Sequence, residues 1–121
     1  MKFTEEHLWL RVDDDEGEVT VGLTTYGAAE LGEATFIELP EEGDVISADD
    51  PVVVIEADDD AVDILAPLDG EVIEVNSPLT RAPEVISEDP QGDGWLFRMS
   101  IDDPDALEEL MDEPTYQKYI R

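Results

Sequence analysis

No apolar run in this chain is long. The longest wholly aliphatic stretch is Val52-Val53-Val54-Ile55, and acidic residues, glycine or proline interrupt every other such run within a few positions. β-Branched runs this short, separated by turn residues, read as strands. They are also far too short to span a bilayer as a helix. The clearest pair covers 52–56 and 61–66, flanking Ala57-Asp58-Asp59-Asp60. That pattern predicts a β-hairpin with its tip at 57–60, too charged to be buried.

The same reading extends along the chain. Residues 9–12 and 18–23 read as strands around an acidic turn at 13–17, and 34–39 as a strand running into Pro40-Glu41-Glu42-Gly43. Between them, 24–31 reads as a short helix, with a threonine to cap its start and Gly32 to end it. The run Gly43-Asp44-Val45-Ile46 is echoed by Gly70-Glu71-Val72-Ile73, each a glycine turn leading into a short strand. An irregular stretch follows Asn76-Ser77-Pro78, and 95–101 reads as a strand covered on both faces, with Trp95, Phe97 and Trp9 assigned to the core. The tail changes character. Asp102 or Asp103 can cap a helix beginning at Pro104, with Leu107, Leu110 and Met111 at helical spacing, and 114–120 reads as a second helix. The expected fold is mainly β (α+β), one domain over 1–121, with C-terminal helices at about 103–120.

Charge narrows the function. Thirty-four acidic residues oppose 6 basic ones, for a formal net charge of −28. Such a surface repels phosphate backbones and anionic lipid, so neither nucleic acid nor a membrane surface is an expected partner. It favours basic partners, and the acid excess with only two lysines also fits adaptation to high salt. The chain has no cysteine, which excludes disulfides and thiolate chemistry. The N-terminus lacks the layout of a signal peptide, so the expected compartment is the cytoplasm.

Several ordered segments resemble the H protein of the glycine cleavage system. They are Phe3-Thr4-Glu5-Glu6-His7-Leu8-Trp9 (the family usually has an acidic residue in place of Leu8), Gly22-Leu23-Thr24-Thr25-Tyr26-Gly27 through Leu31-Gly32, and Glu38-Leu39-Pro40 to Gly43. Ala66-Pro67-Leu68-Asp69-Gly70-Glu71-Val72 with Val75-Asn76, Asp89-Pro90-Gln91-Gly92-Asp93-Gly94-Trp95 and the tail from Leu110 to Tyr119 continue the match. The resemblance implies a flattened lipoyl/biotinyl-type β-barrel sandwich with quasi-two-fold symmetry, whose hairpin presents a lipoylated lysine. It implies a non-catalytic carrier of an aminomethyl group. The implied partners are the glycine decarboxylase, the aminomethyltransferase, dihydrolipoyl dehydrogenase and the lipoylation enzymes.

One position departs from the family. Its modified stretch is Glu-Ser-Val-Lys-Ala, with Ala-Pro a fixed distance downstream. Here Glu56 and Pro67 bracket an interval of family length, and the residue three after Glu56 is Asp59. The only lysines are Lys2 and Lys118. Lipoate attachment needs an amine to form a stable amide, whereas a carboxylate would give an anhydride that water hydrolyses. The expectation is a non-lipoylated, H-like protein without a cofactor, acting through protein–protein contact. Two alternatives stand beside it: a substituted, inactive form of a genuine H protein, and a binding module unrelated to glycine. Glu56 and Gly70 match family positions associated with recognition by lipoylating enzymes, and they equally serve turn geometry and fold.

Other candidates are weaker. Asp58-Asp59-Asp60 with Glu56 and Asp63 lacks the glycine and spacing of a calcium loop, so it reads as a solvated acidic turn and no metal is expected. His7, the one histidine, has no nucleophile in a supporting context and is expected to pack near Trp9.

Overall fold

Alternating side chains assemble nine strands among the residues described by a computed structural model, 2–12, 17–57 and 60–120. They are β1 (Lys2–Phe3), β2 (Leu8–Val12), β3 (Glu18–Leu23), β4 (Ala34–Glu38), β5 (Val45–Ile46), β6 (Pro51–Ala57), β7 (Ala61–Leu65), β8 (Gly70–Val75) and β9 (Phe97–Ile101). One antiparallel sheet has the order β1-β2-β3-β9-β8-β5, and the second has β4-β6-β7. The acidic turn expected at 13–17 falls, apart from Gly17, outside the described residues.

The sheets share a core. Leu10, Val21, Phe97 and Met99 from the larger sheet are buried in one cluster with Ile37, Val53 and Ile55 from the smaller. Each large apolar side chain so buried contributes about 1.5–3 kcal/mol. Both faces of β2 are buried: Leu8 and Leu10 enter this core, while Trp9 joins Phe3 and Tyr116 in a second cluster.

The sequence echo is a local two-fold in space. β5 pairs antiparallel with β8, Val45 opposite Glu71 and Ile46 opposite Gly70. Gly43 N–H donates to the Val72 carbonyl at 2.7 Å, and Val72 N–H to that of Asp44 at 2.8 Å. The two copies therefore pair with each other. Gly70 also faces Ile101 of β9, and a Cβ on it would overlap the Ser100 carbonyl oxygen. The sheet itself excludes a side chain there.

Helix α1 (Thr25–Leu31) obeys its expected signals. Thr24 Oγ1 accepts from Gly27 N–H at 3.0 Å, and Gly32, at φ 86°, closes the C-terminus. A one-turn helix, α2 (Glu84–Glu88), and a 3-10 turn at Ser77–Thr80 interrupt the irregular stretch.

Two expectations need correction. The last strand begins at Phe97, not 95: the Asp93 and Trp95 carbonyls accept from Asn76 Nδ2 at 2.9 and 2.7 Å. Trp95 is only partly buried, packing on the second cluster. In the tail, Pro104–Glu109 is a 3-10 helix whose cap, Asp103, accepts from Asp105 N–H. The chain is extended at Leu110 (φ −85°, ψ 161°), so Leu107 and Met111 do not share one helical face. Met111 instead exchanges backbone hydrogen bonds with Phe3. The final helix, α3 (Glu113–Tyr119), follows with Asp112 as its cap.

Candidate functional site

The two arms pair as their pattern predicts, but Ala57, assigned to the tip, is a buried end residue of β6. β6 and β7 pair with Ile55 opposite Val62 and Glu56 opposite Ala61. Beyond them Ala57 and Asp60 exchange backbone hydrogen bonds, 2.8 and 3.3 Å long. The ladder thus continues to the last described residue on each side. Asp58 and Asp59 lie outside the described residues.

The inward side chains of β6 are Val53, Ile55 and Ala57, all buried, and Glu56 is exposed. Glu56 faces Phe36 on β4 and Ala61 on β7, and its carbonyl accepts from Thr35 Oγ1 at 3.2 Å. Gly70 is buried in the other sheet. The fold therefore does not join Glu56 and Gly70 into one surface. No Lys, Arg or His occurs between Arg11 and Arg81, so the whole three-stranded sheet lacks a base. Among the described residues, no group of three or more His, Asp or Glu side chains is placed to hold a metal ion.

A cavity of about 290 Å³ opens beside the hairpin, a feature the strand pattern does not reveal. Val62, Ile64 and Leu65 of β7 line it together with Leu8, Leu23 and Leu31, and Glu6 and Glu30 add carboxylates. Such a lining suits an apolar ligand carrying a positive end. Val62 shares the inward side of β7 opposite Ile55 and is still 38% exposed, at the mouth of this cavity.

His7 lines the same cavity. It does not pack near Trp9 as expected. Trp9 lies over Gly22, where a Cβ would come within 2.6 Å of the indole, and its Nε1–H donates to the Pro90 carbonyl at 3.0 Å. The His7 ring instead meets Tyr26, Tyr116 and Tyr119, with centroids 4.6, 5.8 and 5.9 Å away. The Glu30 carboxylate, hydrogen-bonded to the Tyr26 phenol, raises its pKa. Burial raises that of Tyr116, against an opposing effect of its Thr24 hydrogen bond.

A flattened two-sheet β fold that presents one hairpin from its smaller sheet is the lipoyl-domain class. The family model for the glycine cleavage H-protein matches residues 1–121. A glycine cleavage system H protein from Psychrobacter sp. (strain PRwf-1) is 44% identical over 117 residues, covering 97% of this chain and 92% of that protein. One from Thermotoga maritima is 41% identical, covering 98% and 94%. The crystal structure of a glycine cleavage system H protein from Mycobacterium marinum superposes with a TM-score of 0.83 at 30% identity, over 98% of this chain and 91% of that one. The chain belongs to the glycine cleavage H-protein family, whose members are carriers and not enzymes. No helix among the described residues is long and apolar enough to cross a membrane.

Proposed function

We propose that this chain is an H protein that carries no lipoate and acts by binding glycine cleavage or lipoylation enzymes. The observation that carries the reading is Asp59, three residues after Glu56 in a hairpin of family length. The pairing of Ala57 with Asp60 supports it, because a ladder running that far leaves little slack for a different residue to take the attachment position. The donor set does not fit lipoate: an amide needs an amine, and β4, β6 and β7 contain no lysine. Lys2 belongs to β1 and Lys118 to α3, at the chain ends.

On this reading the retained frame is a binding surface. Its excess of carboxylates steers basic partners at a rate that falls as salt rises. Candidate partners are the decarboxylase, the aminomethyltransferase, dihydrolipoyl dehydrogenase and the enzymes that attach lipoate. Intact-mass spectrometry of protein purified from its native source tests the first half, with an unmodified chain expected. A lipoyl adduct on any residue overturns it. Titration calorimetry against the purified glycine cleavage and lipoylation enzymes tests the second half, with binding to at least one expected and binding to none contradicting it.

The full-length similarity to proteins named as H proteins favours one further reading, a genuine H protein whose attachment residue is substituted. Restoring Asp59→Lys then restores glycine cleavage in a reconstituted system. A lipoylated variant that still fails to support cleavage counts against it.

A further inference from the structure

The C-terminal helix reaches the body of the protein through its own small core. Tyr116 stacks on Phe3 with centroids 4.7 Å apart and planes 8° from parallel. Phe3 N–H donates to the Met111 carbonyl at 2.8 Å, and Met111 N–H to that of Phe3 at 3.0 Å. Phe3, Trp9 and Tyr116 form a cluster separate from the main core. A segment held by a separate cluster can open without the sheets.

The Tyr116 hydroxyl extends this contact toward the cavity. It lies 2.9 Å from His7 Nδ1 and 2.7 Å from Thr24 Oγ1, while Thr24 Oγ1 also accepts from Gly27 N–H at 3.0 Å. His7 has φ 67°, a left-handed conformation that a non-glycine residue keeps only when its surroundings hold it there. Its carbonyl accepts from Thr24 N–H at 2.9 Å. His7 and Gly27 both line the cavity beside the hairpin. One hydrogen-bonded chain therefore runs from α3 through Tyr116 to a left-handed cavity residue and to the start of α1.

We propose that α3 is a latch on this cavity: Tyr116 holds His7 in the turn that walls it, and undocking of α3 releases that wall while the sheets stay folded. The proton order follows from donor count. Thr24 donates its hydroxyl proton to Tyr116, and Tyr116 donates to His7 Nδ1, so neutral His7 carries its proton on Nε2. Among the described residues, the opposite order leaves the Thr24 hydroxyl proton without an acceptor. The latch is independent of what position 59 carries. It makes the cavity's shape depend on whatever engages the C-terminal helix.

Tyr116→Phe in the full chain removes the oxygen and keeps the stacked ring. Amide exchange and ¹⁵N NMR of the variant at pH 8 test the latch. Exchange at Gly27, Thr24, Phe3 and Met111 should quicken about tenfold or more, with Val21 and Ile55 unchanged. His7 Nδ1 should lose its hydrogen bond, moving its ¹⁵N resonance toward that of an unbonded imidazole nitrogen, and the Val62 methyls should shift across the cavity. Tyr119→Phe, which alters another ring beside His7, should change none of these. Unchanged Gly27 exchange and an unchanged His7 Nδ1 resonance in Tyr116→Phe overturn the proposal. So does equal acceleration of Val21 and Ile55, because α3 would then belong to one cooperative core, and so does the same response in Tyr119→Phe.

Discussion

The three-stranded sheet and the junction where the chain ends meet differ in charge, in the range of their contacts and in what fixes them. β4, β6 and β7 come from one stretch without a base, and each pairs with a strand from that same stretch. Short β-branched runs set β6 and β7, and the outer face of the sheet carries Glu38, Glu56 and Asp63 in water. The junction joins residues more than a hundred positions apart, with His7 bonded to Tyr116, and aromatic packing and hydroxyl hydrogen bonds hold it. Both lysines lie in its elements. The family's functional position sits on the region that local pattern determines. The element that can regulate the neighbouring cavity sits on the region that only tertiary contact determines.

The largest expected effect tests whether both regions hang on the central pairing of β5, β8 and β9. Gly70→Val drives a side chain into the Ser100 carbonyl and should cost about 3 kcal/mol or more. Urea unfolding measures it, with both regions losing protection together. A variant within about 0.5 kcal/mol of the parent would mean the strands move apart easily. Thr24→Ala should separate the regions. It removes the α1 cap and the Tyr116 partner, costing about 1–2 kcal/mol, with accelerated exchange at the junction and not at Ile55. Thr24→Ser should recover most of that loss.

Salt should act in the opposite sense. Screening a net charge of −28 should raise the thermal midpoint by a few degrees in 1 M NaCl. The gain in protection should be larger on β6 and β7 than at Phe3 and Met111. Equal gains would show that repulsion is spread evenly.

The smallest effects are pH-dependent and confined to α3. Hydrogen bonding from Thr115 lowers the Asp112 pKa from its ordinary 3.8, so its cap contribution is full above 3.8 and fades as pH falls through the lowered value. Burial raises the Tyr116 pKa above 10.0, so the contribution of its neutral form is full below 10.0 and fades as pH rises through the raised value. Met111 amide protection should therefore decline at both extremes before that of Val21 does.

Much of the fold was legible because strands and caps are local. β3 follows alternation, β6 and β7 are short β-branched runs, Thr24 and Gly32 bound α1 by their own chemistry, and the glycine echo marked two segments that pair with each other. Ordered family segments gave the lipoyl-type architecture, which period alone does not specify. The misses have tertiary causes. Asn76 draws off the Trp95 carbonyl, and Met111 leaves the helical path to meet Phe3. His7 finds tyrosines from α1 and α3 in place of the tryptophan two residues away. At the candidate site, the hairpin arms were readable from their β-branched runs, whereas Glu56 was singled out only by the family resemblance. The cavity was not, because its lining comes from β2, β3, α1 and β7 together.

On the proposed function, the hairpin keeps the frame of a lipoyl carrier while Asp59 removes the attachment chemistry. The most direct test is intact-mass spectrometry of the parent and Asp59→Lys proteins after incubation with a lipoyl-protein ligase, lipoate and ATP. No lipoyl group should be added to the parent, and one should be added to the variant, at position 59. A lipoylated parent, or a folded variant that stays unmodified beside a modified control H protein, would contradict it.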